Sequence, residues 1–290
     1  MAWRTMLVKP TFACLENEKS SIGIIGVPLD YSGTYRPGTR FAPQKVREAA
    51  CNLELYSLTA NLPLEDVGFK DYGDIILPPG DITRAIQRIE LTIKNITEDH
   101  KGLVIIIGGE HLLTYSTVHA VISEIDTLVV FDAHLDMRAE YLDSSLNHAT
   151  FLHKLVEEGV NVIHIGSRAY SRDEIEYVKG RSNVVLFNIL DVYNNRIKLS
   201  ELGKTYISVD LDAFDPSIAP GVSNPEPFGL SSYMFLNILK EIFEKASDIR
   251  AIDIVEVNPL VDHSDITSIL AAKIAIEATG LYLKNHNLIV

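Results

Sequence analysis

The sequence predicts a single-domain, three-layer α/β/α protein with a mainly parallel sheet over residues 1–290. Short apolar runs rich in β-branched residues alternate along the chain with longer amphipathic stretches. Strands that alternate with helices favour a parallel sheet covered on both faces. No repeat, low-complexity tract or Ser/Gly linker divides the 290 residues, and a hydrophobic content of 47% suffices for one large core.

Each element is assigned from its apolar pattern. The predicted strands, in chain order, are residues 21–27, 103–107, 127–131, 161–165, 183–187, 205–209 and 249–255. Helical periodicity predicts helices over residues 83–97, 231–245 and 266–283. A long loop is predicted over residues 215–229, because four prolines and two glycines there exclude a regular element.

The charge of the chain restricts its partners. Lys and Arg total 26 against 39 Asp and Glu, which gives a formal net charge of −13. Nucleic acids and anionic membrane surfaces attract faces rich in Lys and Arg, so neither is predicted as the main partner. The negative charge is compatible with cationic ligands and metal ions as partners.

The two cysteines, Cys14 and Cys51, have no metal-type spacing and no disulfide framework around them. The sequence therefore predicts reduced cysteines in a cytoplasmic protein, and not a disulfide-stapled secreted one. The N-terminal residues lack an apolar stretch of signal-peptide length. No other stretch approaches the roughly 20 apolar residues of a membrane span.

Polar side chains follow four of the predicted strands. In open α/β sheets, ligands bind outside the carboxyl ends of the strands, so these segments are expected to lie together. They are GGEH at 108–111, DAHLD at 132–136, DLD at 210–212 and EVNP at 256–259.

The segment DAHLD places Asp132, His134 and Asp136 at alternate positions, which point to one side of an extended chain. Asp210 and Asp212 repeat this spacing. Four carboxylates in one crevice repel each other unless their pKa values rise or cations hold them. Two divalent ions would supply that charge, and carboxylates mixed with imidazoles suit Mn²⁺ better than a thiolate-preferring ion.

In this order, GGEHLLT, DAHLD, SVDLDAFDP and EVNP resemble the motif set of the ureohydrolase family, which includes arginase and agmatinase. The resemblance runs nearly end to end. It includes YRPGTRFAPQKVREA at 35–49 and DHSDITSILAA at 262–272, which are similar to the agmatinase branch. It implies an arginase-like fold, two Mn²⁺ ions per subunit and a homo-oligomer, either a trimer or a hexamer.

The resemblance also implies which residues bind the metals. One ion would be held by His111, Asp132, Asp136 and Asp210, and the other by Asp132, His134, Asp210 and Asp212. Two carboxylates, those of Asp132 and Asp210, would bridge the ions. The implied reaction is attack of a metal-bridging hydroxide on the central carbon of a guanidinium group, which releases urea and an amine.

Three catalytic roles follow from the same resemblance. Asp136 would pass the proton of the nucleophile to the leaving nitrogen, His148 is similar to a proton-shuttle histidine, and Glu256 is similar to the carboxylate that binds the guanidinium. Structural alternatives exist for two of these residues: His148 would be a helix N-terminal histidine beside Asn147 as the cap, and Glu256 would be a solvated strand end.

The far end of the substrate is expected to meet residues 137–147, which do not resemble the corresponding arginase loop. This segment carries Glu140 and Asp143, and acidic groups there favour the ammonium of agmatine over a carboxylate by on the order of 1 kcal/mol or more. The sequence thus predicts hydrolysis of agmatine to putrescine and urea, a step of polyamine synthesis. The alternatives are a guanidinobutyrase, guanidinopropionase, arginase or formiminoglutamase, or a non-catalytic metal-binding scaffold.

Three residues depart from the pattern of the family. Glu110 stands where Asp is common, Leu112 where Ser is usual, and Phe228 where Gly is frequent. We expect the longer Glu110 to shift His111 or alter metal affinity, and Phe228 to narrow the pocket.

Overall fold

An eight-stranded parallel sheet forms the centre of the computed structural model, which describes residues 11–288. Its strands are β1 (Ile22–Val27), β4 (Lys70–Asp74), β5 (Leu103–Gly108), β6 (Thr127–Phe131), β7 (Val162–Ser167), β8 (Val184–Asn188), β9 (Gly203–Asp210) and β10 (Ala246–Val255). They lie in the order β4-β1-β5-β10-β9-β6-β7-β8. A separate antiparallel pair joins β2 (Tyr56–Ser57) to β3 (Leu62–Pro63).

Helices cover both faces of the sheet. They are α1 (Ala42–Ala50), α2 (Ile82–Asp99), α3 (Leu113–Val121), α4 (Phe151–Glu157), α5 (Arg172–Lys179), α6 (Ile189–Tyr193), α7 (Ser232–Lys245) and α8 (Ile266–Asn285). The first core contains side chains of α1, α6, α7 and α8, and the second contains those of α2 to α5. The layers are therefore helix, sheet and helix.

Strand β5 shows how the two cores are separated. Leu103, Ile105 and Ile107 belong to the first core, whereas Val104 and Ile106 belong to the second. Successive side chains of a strand point to opposite faces, so a central strand must be apolar throughout. The predicted α/β/α fold is confirmed, and each of the seven predicted strands occurs with boundaries moved by at most three residues.

The eighth strand, β4, was not predicted because its sequence, KDYGD, is polar. Among the described strands it lies at the edge of the sheet and pairs with β1 alone, and its side chains are partly exposed. Ion pairs replace apolar packing there: Arg47 of α1 contacts Asp71 at 2.8 Å and Asp74 at 2.6 Å. An apolar sequence pattern indicates buried strands, so it does not indicate a polar edge strand such as β4.

Helix α8 is long and apolar enough to cross a membrane by length and composition alone, which differs from the expectation that no stretch approaches this length. Most of the helix is buried inside the protein, against α1 and α7. A core helix gives the same signal, and we interpret α8 as one. The expectation of no signal peptide rests on N-terminal residues that lie largely outside the described range.

Cys14 and Cys51 form a disulfide, so the prediction of two reduced cysteines is wrong. The bond joins the turn at Phe12–Cys14 to the residue after α1. Phe12 is buried against Phe69, and its amide donates to Asp71, which brings the turn beside α1. The sequence does not reveal this contact because 37 residues separate the cysteines.

Candidate active site

Four neighbouring strands end at one site. Strands β5, β10, β9 and β6 are adjacent in the sheet, and each predicted polar motif follows one of them. Parallel strands present their carboxyl ends at the same edge, so motifs far apart in sequence meet there. For example, the amide of His111 donates to Glu256 Oε1 at 2.8 Å across 145 residues of sequence.

The first group of donors surrounds His111. Its Nδ1 lies 2.9 Å from Asp132 Oδ2 and 3.1 Å from Asp210 Oδ2. Asp136 Oδ2 is 3.5 Å from the same nitrogen. All four residues are buried.

The second group surrounds His134, whose Nδ1 lies 2.9 Å from Asp212 Oδ2 and 3.6 Å from Asp132 Oδ1. Asp132 therefore turns one carboxylate oxygen toward each histidine. Backbone amides hold these carboxylates: His134 N donates to Asp132 at 2.6 Å, and Asp212 N donates to Asp210 at 2.7 Å. Asp132 has the geometry of a bridging ligand.

Hydrogen bonding favours one tautomer of a neutral His111 ring. The Ser208 hydroxyl donates to Asp253 Oδ1 at 2.5 Å, so its oxygen is free to accept from His111 Nε2 at 2.9 Å. A proton on Nε2 leaves a lone pair on Nδ1 of the neutral ring. That lone pair faces the buried oxygens of Asp132 and Asp210, an arrangement that is repulsive unless a proton or a metal ion lies between them.

Burial and mutual charge determine the pKa values in the cluster. Burial raises the pKa of Asp136, and the charge of Asp132 raises it further. Burial also favours a higher pKa for Asp132, but the close contacts with the imidazoles of His111 and His134 outweigh burial and lower it. Burial lowers the pKa of His111, but the Asp132 contact outweighs it and raises that pKa. Protons and divalent cations thus compete for the same donor atoms.

These donors fit two divalent ions. One trio is His111, Asp132 and Asp136, the other is Asp132, His134 and Asp212, and within each trio the ligand atoms lie within 4.8 Å of one another. Neither His111 Nδ1 nor Asp132 Oδ2 has a hydrogen-bond partner among the described residues, although both are buried. A donor set of carboxylates with one imidazole per trio suits a harder divalent ion.

A cavity of about 540 Å³ opens above the donors. Loops from several parts of the chain form the walls of this cavity around the predicted metal ligands. Outside those residues, the wall includes Tyr35, Arg36, Arg138, Tyr141, His148, Tyr170, Glu174, Asn224, Glu226 and Glu256.

Glu256 and His148 face this cavity from different loops. Glu256 is only 7% exposed, and burial raises its pKa to about 8. A cation bound beside this carboxylate would offset the cost of burying its charge. Burial lowers the pKa of His148 to about 4, and its amide donates to Ser32 Oγ at 3.0 Å.

Two of the site residues have left-handed backbones. The φ angle is 50° at Asp136 and 62° at Glu256. Residues other than glycine adopt this region at a cost of about 1–3 kcal/mol each, and such residues concentrate at functional sites. The surrounding fold holds both carboxylates in place against this strain.

Comparisons with known proteins agree with this geometry. Residues 20–280 match the sequence model of the arginase family. The chain belongs to the arginase family. An agmatinase of Bacillus subtilis (strain 168) is 33% identical over 264 residues, which cover 89% of this chain and 91% of the relative. An N(1)-aminopropylagmatine ureohydrolase of Thermococcus kodakarensis is 32% identical and covers 96% of each chain.

A solved structure, the agmatine ureohydrolase of Thermoplasma volcanium, superposes on the chain with a TM-score of 0.86. It is 31% identical, and the match covers 99% of both chains. The predicted resemblance to ureohydrolases is therefore confirmed. As an arginase-family member, the protein is an agmatinase-like hydrolase of C–N bonds in linear amidines.

In this arginase-family chain, the structure brings eight of the predicted site residues around one cavity. They are His111, Asp132, His134, Asp136, His148, Asp210, Asp212 and Glu256. It does not bring Glu140 and Asp143 there, since both are exposed and neither lines the cavity. Tyr141 and Ser144 exchange backbone hydrogen bonds, and the resulting turn carries Asp143 toward solvent.

The three departures from the family pattern have different environments. Glu110 accepts from the amide of Ser32 at 2.8 Å, and burial raises its pKa to about 7. It therefore anchors the loop after β1. Leu112 is buried in the second core. Phe228 is 76% exposed and does not line the cavity, so the expectation that it narrows the pocket is wrong.

We expect Phe228→Gly to raise the free energy of unfolding by up to about 1 kcal/mol. Phe228 has a φ of 65°, a conformation that costs an L-residue about 1–2 kcal/mol, and the greater unfolded-state entropy of glycine offsets part of the gain. Urea denaturation measures the change. Phe228→Ala keeps the strain, so equal stability of the two variants would contradict this explanation.

Sequence reasoning missed Arg168, which directly follows β7. Within residues 11–288, its guanidinium donates to backbone carbonyls alone, those of Gly166, Asp212, Ala213, Phe214, Glu226 and Pro227. These bonds join the end of β7 to Asp212, one of the predicted metal ligands after β9, and to the long loop over residues 215–229. An arginine after a buried strand, at the same edge as the ligand motifs, was the available signal.

Replacing Arg168 by Lys is expected to destabilise the protein by about 2–3 kcal/mol, because an ammonium cannot reproduce the planar fork of donors. Thermal and chemical denaturation would measure this loss. The matched control is Arg172→Lys, whose exposed pair with Glu176 contributes less than about 0.5 kcal/mol. Equal stability of the two variants would mean that Arg168 does not hold the loop.

Proposed function

We propose that the protein hydrolyses agmatine to putrescine and urea with two Mn²⁺ ions. The observation that carries this proposal is a pair of histidine–carboxylate trios that share Asp132 beside the buried carboxylate of Glu256. The trios fit two divalent ions, and the carboxylate fits the planar guanidinium cation. The names of the relatives from Bacillus subtilis and Thermoplasma volcanium support the choice of agmatine.

In this proposal Glu256 orients the substrate. Its Oε1 accepts from the amide of His111, which fixes the carboxylate while the group still faces the cavity. Paired N–H bonds from a guanidinium to this carboxylate would place the central carbon over the two trios. Bound divalent ions would supply an activated water at neutral pH.

Two other side chains would handle protons. Asp136 lines the cavity within the first trio, where its carboxylate could accept a proton and donate it to the leaving nitrogen. His148 also lines the cavity, and its lowered pKa keeps the imidazole neutral and able to accept a proton. Its Nδ1 lies 3.4 Å from Ser32 Oγ, which orients the ring.

We expect the carboxylates of the cavity to favour a cationic tail over a carboxylate, although the wall also carries the arginines Arg36 and Arg138. Arg138 lies over the Tyr141 ring and 3.6 Å from Glu174, so its charge is partly neutralised. Glu226 adds a further negative charge to the wall. Substrates with a carboxylate tail, such as arginine or 4-guanidinobutyrate, are therefore expected to bind less well than agmatine.

Urea release from a panel of agmatine, arginine, 4-guanidinobutyrate and 3-guanidinopropionate with added Mn²⁺ tests the substrate. We expect kcat/KM for agmatine to exceed each of the others by at least about tenfold, which corresponds to about 1.4 kcal/mol. A preference for arginine would rule out the agmatinase assignment. No urea from any compound would favour a metal-binding scaffold without turnover.

Domain organisation, cellular location and oligomeric state are three further predictions. We propose that residues 1–290 form one domain, that the protein assembles into trimers or hexamers, and that it is located in the cytoplasm, although its cysteines form a disulfide and no longer support that location. Size-exclusion chromatography with light scattering would distinguish a monomer of 32.2 kDa from these assemblies.

A further inference from the structure

The long loop after β9 brings a free carboxylate to the cavity. Glu226 lines the cavity wall, and its side chain is neither buried nor fully exposed. Within residues 11–288, its carboxylate forms no hydrogen bond and no ion pair, and only its backbone oxygen is engaged. The Glu226 carboxylate is therefore available to a ligand.

The other carboxylate of this wall is already engaged. Glu174 Oε2 accepts from the amide and hydroxyl of Ser171 at the start of α5 and lies 3.6 Å from Arg138 Nε, and Glu174 Oε1 accepts from the amide of Met137 at 3.3 Å. Because these contacts satisfy both its oxygens, Glu174 has little capacity left for a substrate. The carboxylate of Glu226, in contrast, has no such contacts among the described residues.

The backbone that carries Glu226 is held firmly. Arg168 donates to the carbonyls of Glu226 at 2.8 Å and Pro227 at 2.9 Å, and the same guanidinium donates to the carbonyl of Asp212 at 2.7 Å. Pro225 and Pro227 flank the residue and restrict the backbone. The position of Glu226 is thus fixed relative to the second donor trio, as a recognition residue requires.

The cationic side chains of the wall leave this charge unpaired. Arg36 lies over the ring of Tyr35 at 4.6 Å, and Arg138 lies over the ring of Tyr141 at 4.9 Å. Neither arginine lies within ion-pair distance of Glu226 in the described part of the chain. An incoming cation would meet a carboxylate that has no ion-pair partner among the described residues.

We propose that Glu226 is a specificity-determining residue whose carboxylate binds the ammonium at the end of the substrate remote from the guanidinium. The inference rests on the proposed function, since it requires a guanidino substrate at the donor trios. A charged hydrogen bond to this ammonium would favour guanidines with a cationic tail and reject those with a carboxylate tail. In this proposal Glu226 binds the ammonium of the substrate in place of Glu140 and Asp143, which the sequence predicts for that role.

The test compares two substrates that differ only in the remote amine, agmatine and N-butylguanidine. In the Mn²⁺-loaded protein, we expect E226Q to lower the ratio of their kcat/KM values about tenfold, through a higher KM for agmatine with a similar kcat. E226K should lower the ratio further and raise kcat/KM for 4-guanidinobutyrate. The exposed carboxylate of Glu140 provides the matched control, and E140Q should keep the wild-type ratio.

The outcomes separate this inference from the proposed function. If the wild type cleaves agmatine and E226Q keeps the wild-type ratio, the inference is wrong and the proposed function stands. An equal loss on both substrates would show that Glu226 has only a structural role, and would also overturn the inference. If the wild type cleaves neither guanidine, the proposed function fails and the inference fails with it.

Discussion

Replacing Asp132 by Asn is expected to lower urea release by at least about a thousandfold and to abolish binding of the second metal ion. Asp132 is the one residue common to both trios, and its two oxygens face His111 and His134 separately. An amide offers one oxygen and no charge, so it cannot bridge two cations. Metal analysis of the purified variant and a urea assay measure both effects.

The matched control for this prediction is Asp66→Asn, because Asp66 is exposed and far in sequence from every ligand motif. It should keep the wild-type metal content and activity. Circular dichroism of both variants establishes that they are folded. An Asp132→Asn protein that is folded, holds two metal ions and retains more than a tenth of the activity would contradict the bridging role.

The substitution Glu256→Gln should lower kcat/KM by about a hundredfold to a thousandfold while both metal ions stay bound. The glutamine has the same shape and can still accept from the amide of His111, but it loses the negative charge that pairs with a guanidinium. Loss of charge-assisted paired bonds accounts for an effect of about 3–4 kcal/mol. Steady-state kinetics and metal analysis on the same sample provide the readouts.

Glu110→Gln is the appropriate comparison for Glu256→Gln, since Glu110 is also a buried carboxylate but does not line the cavity. Its variant should stay within a few-fold of the wild-type activity, because a glutamine oxygen can still accept from Ser32. Loss of metal from Glu256→Gln would show that this residue supports the ligands. Activity within threefold of wild type would rule out its role as the guanidinium anchor.

The sequence was sufficient to predict the central strands because burial on both faces makes them apolar throughout. Strand β5, for example, contains only buried residues. The polar motifs at the strand ends could be found for the same reason, since they interrupt this pattern at one edge of the sheet. The placement of β5, β10, β9 and β6 as neighbours then explains why those motifs meet.

Features that depend on long-range packing could not be predicted in this way. The polar edge strand β4 is held by Arg47, and the Cys14–Cys51 disulfide depends on how the turn at Phe12 packs. Neither feature leaves a local pattern in the sequence. Both arise from contacts that only the folded chain creates.

The residues that line the cavity beside the predicted metal ligands could not be predicted from the sequence either. Glu140 lies only four residues after Asp136, yet a tight turn directs this segment to solvent. Glu226 lies in the proline-rich loop, and Arg168 brings that loop to the cavity through backbone carbonyls, which carry no side-chain signature. Proximity in sequence was therefore a poor guide to the cavity wall.

The most direct test of two-metal hydrolysis is a titration of metal-stripped protein with Mn²⁺, with urea release from agmatine measured at each addition. We predict no activity in the stripped protein and a rise that reaches its plateau at two equivalents of Mn²⁺ per chain. Full activity without metal would contradict the account. A protein that binds two equivalents of Mn²⁺ and still releases no urea would contradict it equally.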